Sequence, residues 1–163
     1  EVNFLSSQLF NMSLILVGSV FALFYLHVRK VFNSDKQKIL AFIGSFFGVL
    51  GGLSLAGVGF APADLYLEIH IVCATWLFRF FFVASICYSI VLFRHAQFEN
   101  KFVAGYLVFT FSILLYILVS ELGPDPKISR LALVLQVVSQ KIILLILMAA
   151  IYMQTLGLQK LQK

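Results

Sequence analysis

The chain has 163 residues, of which 61% are hydrophobic and 12% are charged, and its mean hydropathy is +1.01. Soluble domains usually carry about 25% charged residues, so too little polar surface is present for a water-soluble globule, and the composition predicts an integral membrane protein. The net charge of +5 falls in short patches between apolar runs, which is typical of membrane topology and not of nucleic-acid binding.

Five segments are long and apolar enough to be spanning helices, because a helix that crosses a bilayer needs about 20 residues. Their expected ranges, in chain order, are about 9–28, 39–60, 67–93, 102–120 and 131–156. Short connections between successive helices favour antiparallel neighbours. We therefore expect an all-α fold with a single domain over residues 1–163, built as a polytopic transmembrane bundle of five helices.

The basic residues between these segments predict the orientation in the membrane. Eight of them fall on one side, in the connections after the first and third segments and in the tail: Arg29, Lys30, Lys36, Lys38, Arg94, Lys101, Lys160 and Lys163. Only Lys127 and Arg130 fall on the other side. Because cytoplasmic loops are rich in Lys and Arg, we expect the N-terminus outside and the C-terminus in the cytoplasm of a multi-pass protein of the plasma (inner) membrane.

The second segment carries a row of small residues, each four positions from the next: Gly44, Gly48, Gly52 and Ala56. This spacing places them along one face of a helix, and small residues allow two helix backbones to approach closely. The row therefore predicts a helix-packing face. Its partner is either another helix of this chain, which is favoured because five helices must first pack against each other, or a second copy of the chain.

The connection between the second and third segments lies within GVGFAPADLYLEIH, residues 57–70. Pro62 predicts the end of one helix, and Asp64 is placed to cap the next. Glu68 falls in the first turn, where the helix dipole favours a negative charge. A turn explains these residues but not His70, which becomes a candidate binding residue or, with Asp64 or Glu68, a candidate base.

Two basic residues are expected at membrane depth: Arg79 in WLFRFFF and Lys141 in VSQKIILL. An unpaired cation there costs about 2.5–3.5 kcal/mol, so each should have a partner or reach the interface. Gln136 and Gln140 offer amides at a similar depth to Lys141. Together with Glu68 these residues predict a polar pocket for an anionic lipid headgroup; the alternative is internal hydrogen bonding that holds the helices in register.

Other chemistries find little support in the residues. His27 and His95 are expected near one membrane face and His70 near the other, so they cannot ligate one haem together. No Cys/His spacing indicates a metal site, and no phosphate-binding or dinucleotide motif is present. We therefore expect no cofactor and no metal, and we assign no catalytic residue, although an enzyme stays open as an alternative.

Two stretches have a familiar form. SSQLFNMSLILVGSVFALF (6–24) resembles the second helix, and GVGFAPADLYLEIHIVCA (57–74) the most recognisable turn, of the FRAG/DRAM/Sfk group of six-helix membrane proteins, which includes prokaryotic members known only as a domain of unknown function. The residues at the group's turn positions are Gly59, Phe60, Pro62, Asp64 and His70, with Ala61 as a departure from its pattern. The resemblance implies a further helix before Glu1, both ends in the cytoplasm, and a role connected with lipids.

The leading expectation is a non-enzymatic membrane protein that binds lipid or serves as an accessory or structural subunit of a larger membrane complex. Its expected partners are membrane lipids and other membrane subunits or further copies of the chain, and not nucleic acid. One alternative is an intramembrane lipid-modifying enzyme that uses His70 with Asp64 or Glu68. Another is a small anion or lipid transporter that uses Arg79 and Lys141.

Overall fold

Five long apolar helices make up most of the chain in a computed structural model that describes residues 4–32, 36–125 and 128–161. The helices are α1 (Phe4–Val31), α2 (Lys38–Phe60), α3 (Leu67–Arg94), α4 (Asn100–Leu122) and α5 (Arg130–Leu161). No strand occurs within those described residues. The expected helical class is thus confirmed, and each helix is long and apolar enough to cross a membrane. Lys127 and Lys163, used above for orientation, lie outside the described residues.

The helices extend beyond the ranges expected from hydropathy. Helix α1 begins at Phe4 and not near residue 9, and α5 ends at Leu161 and not near residue 156. Hydropathy falls wherever polar side chains appear, but residues such as Gln159 and Lys160 are good helix formers, so the backbone hydrogen bonds continue through them. Hydropathy therefore locates the apolar centre of each helix better than its ends.

The chain divides into two compact units, Glu1–Cys87 and Tyr88–Lys163. Unit 1 contains α1, α2 and most of α3, whereas unit 2 contains the last residues of α3 together with α4 and α5. The single domain expected over residues 1–163 stays a prediction. Each unit is described by itself below.

In unit 1, α1 and α2 pack backbone against backbone. A Cβ added to Gly52 would lie 2.6 Å from the carbonyl oxygen of Gly18, and one added to Gly18 would lie 2.5 Å from the amide nitrogen of Ala56. One turn before Gly52 on α2, Gly48 packs directly against the Tyr25 ring of α1. The row of small residues on α2 therefore packs against α1 of the same chain at three of its four positions.

Polar and aromatic contacts complete the core of unit 1. The hydroxyl of Ser45 donates a hydrogen bond to the carbonyl oxygen of Tyr25 at 2.8 Å, and both residues are buried. Phe81 of α3 packs against Phe21 and Tyr25, with ring centroids 6.1 and 6.0 Å apart. Gly44, the fourth member of the small-residue row, is buried as well. All four positions of that row are therefore inside unit 1 and not on its surface.

In unit 2, α4 and α5 run antiparallel. Gly105 near the start of α4 faces Met153 near the end of α5, and the ring of Phe98, just before α4, packs on Gly157. As the chain advances along α4, its neighbours on α5 therefore move back toward the connection between the two helices. This register decides which side chains face each other in the site described below.

An ion-pair cluster joins the start of α4 to the end of α5. The carboxylate of Glu99 accepts hydrogen bonds from Lys101 at 2.5 Å and from Lys160 at 2.6 Å. These bonds, that of Lys101 foremost, hold the pKa of the Glu99 carboxyl below its ordinary value. Because all three side chains are exposed, the cluster orders this end of unit 2 and contributes little to its stability.

Candidate functional site

A groove of about 350 Å³ lies between α4 and α5, at the end of unit 2 that adjoins the connection 123–129. Fifteen residues line this α4–α5 groove, and most of them are apolar. The apolar ones are Leu115, Val119, Pro124, Leu131, Ala132, Leu135, Ile142, Ile143 and Ile146, and the polar ones are Ser112, Tyr116, Ser120, Ser129, Gln136 and Ser139.

The groove exists because α5 packs tightly over only part of its length. Every buried residue of α5 lies at Ile143 or later, and none of the residues from Arg130 to Ile142 is buried. The facing part of α4 still presents the buried side chain of Tyr116. The first half of α5 therefore leaves room beside α4, whereas the second half closes on it.

Three polar groups of the groove are already engaged within the protein. The amide nitrogen of Gln140 donates to the hydroxyl of Tyr116 at 2.8 Å, which ties α5 to α4 at the edge of the groove. Ser112 donates to the carbonyl of Val108 in its own helix at 2.8 Å. Ser129 accepts from the amide of Ala132 at 3.3 Å and so caps the N-terminus of α5.

Three other polar groups of the groove have no partner within the described part of the chain: Ser120, Gln136 and Ser139. Because Tyr116 faces Gln140, the antiparallel register brings Ser120, one turn further along α4, to the level of Gln136. Hydrogen-bonding groups without partners are costly in apolar surroundings. A ligand with polar atoms at this level would satisfy them.

Only some of the residues expected to form a polar pocket lie at the α4–α5 groove. Gln136 lines it, and Gln140 binds the hydroxyl of a lining tyrosine. Lys141 is exposed and does not line it. Among the residues expected on α5, the two glutamines are therefore at the groove, whereas the lysine points elsewhere.

The remaining expected residues belong to unit 1. Glu68 is exposed in the first turn of α3. Arg79 is half-buried, and its guanidinium carbon lies 5.5 Å from the centre of the Trp76 ring. This cation–π contact gives Arg79 one of the partners expected for a cation within an apolar helix. Glu68, His70 and Arg79 thus lie in one unit, and Gln136, Gln140 and Lys141 in the other.

The sequence assigned His70 no role in the turn between α2 and α3. In the structure, His70 makes a contact within that turn. Its Nδ1 lies 2.8 Å from the carbonyl oxygen of Ala61, the C-cap residue that follows α2. A carbonyl can only accept, so Nδ1 carries the hydrogen and donates it. His70 therefore satisfies a backbone oxygen left open at a helix end and ties the start of α3 to the end of α2.

Clusters that could hold a metal ion are not found in the part of the chain that the structure describes, where no group of three or more His, Cys, Asp and Glu side chains converges. Among the described residues that line the α4–α5 groove, none is charged. Its polar groups are hydroxyls and one amide, which can bind by hydrogen bonds but offer no strong acid or base. The arrangement is suited to binding.

The serines and the tyrosine of the groove were missed in reading the sequence, although a signal for them exists. Ser112, Tyr116 and Ser120 are each four residues apart in SILLYILVS, a spacing that places three hydroxyls on one face of an apolar helix. On α5, Gln136 and Ser139 are one turn apart in the same way. Rows of polar residues at helical spacing therefore indicate the groove where charged residues do not.

No protein-family model, curated protein or solved structure matches this chain. The resemblance to the FRAG/DRAM/Sfk group stays a prediction. Function can therefore be inferred only from the residues and the geometry of the chain itself.

Proposed function

We propose that the chain is an integral membrane protein that binds a lipid in the α4–α5 groove. One observation carries this proposal: an apolar groove of about 350 Å³ contains hydrogen-bonding side chains that have no partner among the described residues. Lipid molecules combine an apolar chain with polar oxygen atoms, which is the combination that such a lining would bind. The volume lies at the lower end of the range of about 300–1,000 Å³ usual for small-molecule sites.

The proposed membrane location rests on length, composition and exposure. All five helices are long and apolar enough to cross a bilayer, and exposed large apolar side chains occur along every one of them. In water such a surface would cause aggregation, whereas in a bilayer it faces hydrocarbon. The basic residues near helix ends favour an N-terminus outside and a cytoplasmic C-terminus in a plasma membrane.

The orientation can be tested with single cysteines in a chain whose Cys73 and Cys87 are replaced by alanine. We expect Asp64→Cys, in the connection before α3, to react with a membrane-impermeant maleimide on intact cells. Ala96→Cys, exposed in the connection before α4, should react only after the membrane is permeabilised. The opposite labelling pattern would reverse the proposed orientation.

Filling the groove should abolish lipid binding. Ala132 lines the groove, so the indole of Ala132→Trp would occupy the space meant for the ligand. We expect crosslinking of a photoactivatable lipid to α4 and α5 to fall about tenfold or more, which corresponds to a loss of roughly 1.4 kcal/mol in binding. The measurement is peptide mapping by mass spectrometry after illumination of the full chain in lipid vesicles.

The matched control makes the same change on the same helix away from the groove. Ala149 is exposed on α5 and does not line the groove, so Ala149→Trp should be crosslinked like the unchanged protein. Equal crosslinking of Ala132→Trp and the unchanged chain would contradict lipid binding in the groove.

A role as an accessory subunit is compatible with lipid binding, since the exposed helix faces could also meet other membrane proteins. The small-residue row of α2 does not favour a second copy, because it is occupied by α1. No specific contact favours the enzyme that uses His70, whose Nδ1 is engaged with Ala61, or the transporter that uses Arg79 and Lys141. If membership of the FRAG/DRAM/Sfk group holds, it agrees with a role connected with lipids.

A further inference from the structure

We infer that the α4–α5 groove selects an uncharged glycerolipid, which lays one acyl chain along the groove and places its hydroxyl and ester oxygens beside Ser120, Gln136 and Ser139. This inference rests on the proposed function and adds the class of lipid. It replaces the anionic headgroup that the sequence led us to expect, because the cations of that expectation are not in the groove lining.

The charges around the groove argue against a phosphate headgroup. None of the described lining residues is charged, and Lys141 is exposed outside the lining. The described charged residues next to the lining in the chain have both signs: Glu121 and Asp125 adjoin Ser120 and Pro124, and Arg130 lies between Ser129 and Leu131. A phosphate needs Arg or Lys side chains or a cluster of backbone amides, and the lining offers only neutral hydroxyls and an amide. An anionic headgroup within the described lining would lose its hydration without gaining a counter-charge from that lining.

The unpartnered polar groups match neutral oxygens. A serine hydroxyl both donates and accepts, and the amide of Gln136 does the same through two different atoms. The hydroxyl and ester groups of a diacylglycerol need one donor for each carbonyl and one acceptor for the hydroxyl. Ser120, Gln136 and Ser139 supply both kinds of group without introducing a charge.

The unpartnered polar groups of the groove lie in one half of its length, whereas apolar side chains line both halves. The unpartnered groups lie toward the connection 123–129, whereas Ile142, Ile143 and Ile146 line the far end. From Ser129 to Ile146, helix α5 rises by about 25 Å. A volume of about 350 Å³ spread over that length is a narrow channel, which suits a single acyl chain with its polar end toward the connection.

The test compares lipids that differ only in the headgroup. The full chain is placed in vesicles that contain diacylglycerol, phosphatidylglycerol or phosphatidylcholine at equal mole fraction, each with the same diazirine-labelled acyl chain. We expect diacylglycerol to label the groove peptides of α4 and α5 about fivefold more than either phospholipid, as one net hydrogen bond would give. Equal or stronger labelling by a phospholipid would overturn the inference but leave lipid binding standing. Absence of groove labelling from all three would overturn both.

A pair of variants tests the polar contacts themselves. Gln136→Leu combined with Ser139→Ala should lower diacylglycerol labelling about fivefold and leave phospholipid labelling unchanged. Thr155→Ala is the control, because that hydroxyl of α5 lies outside the groove lining and already donates to the Ile151 carbonyl, and its labelling should not change. If the double variant fails to fold, Ser139→Ala alone is measured. Unchanged diacylglycerol labelling of a folded variant would overturn the inference.

Discussion

Gly52→Ala is expected to destabilise unit 1 by about 1–3 kcal/mol, the usual cost of an added methyl group in a packed contact. The new Cβ would lie 2.6 Å from the Gly18 carbonyl oxygen and 2.7 Å from the Ala22 amide nitrogen. Both are backbone atoms, so no side chain can rotate away and α1 must separate from α2. This cost should exceed the gain of about 1 kcal/mol that alanine brings to an isolated helix. The free energy of unfolding in detergent gives the measurement.

Gly105→Ala is the matched control for that prediction. A Cβ there would lie 3.0 Å from the sulfur of Met153 and 3.6 Å from the Cα of Ala150. A methionine side chain can move, so this variant should be neutral or slightly more stable. Gly18→Ala combined with Gly52→Ala should cost less than the sum of the two single changes, because the first already separates the same helix contact. Additive effects, or a stable Gly52→Ala, would contradict the close contact.

The helices and the packing face could be predicted because each depends on short-range periodicity. A run of apolar residues of sufficient length specifies a helix, and four small residues at spacing four specify a face that another backbone can approach. The sequence could not specify which helix uses that face. The answer depends on Gly18 and Ala22 of α1, which are complementary only once the two helices are set side by side.

Only Gln136 and Gln140 of the expected pocket residues lie at the α4–α5 groove, because the charge of a residue does not show whether it lines a groove. Lys141 was expected at the pocket as a cation, yet its side chain is exposed outside the lining, whereas Gln136 lines a groove whose described lining residues are all uncharged. The groove itself arises where α5 stops packing against α4, a property of two helices that no single segment reveals. The contact of His70 with the turn could not be predicted for a similar reason, since its partner is a backbone oxygen at Ala61, and main-chain acceptors leave no trace in a sequence.

Gln154→Leu is expected to stabilise unit 2 by about 1–3 kcal/mol, in contrast to most substitutions in a protein interior. Gln154 is 0% exposed in the packed half of α5, and neither its amide nitrogen nor its amide oxygen has a partner among the described residues. Burial of an amide without hydrogen bonds is unfavourable, whereas leucine has a similar size and no polar atoms. The free energy of unfolding in detergent would rise.

The control is Gln159→Leu, five residues further along α5, where the side chain is exposed. That change removes no buried polar group, so it should leave the free energy of unfolding within about 0.5 kcal/mol of the original. If Gln154→Leu instead lowers the stability, either a bound water satisfies the amide or the branched leucine side chain does not fit the space, and a Gln154→Met variant, which is unbranched, distinguishes the two. Natural chains retain costly buried groups mainly at functional sites. A stabilised Gln154→Leu variant that also loses lipid binding would therefore show that this amide contributes to lipid binding in unit 2. A stabilised variant that keeps lipid binding would show that the packed half of α5 acts independently of the groove.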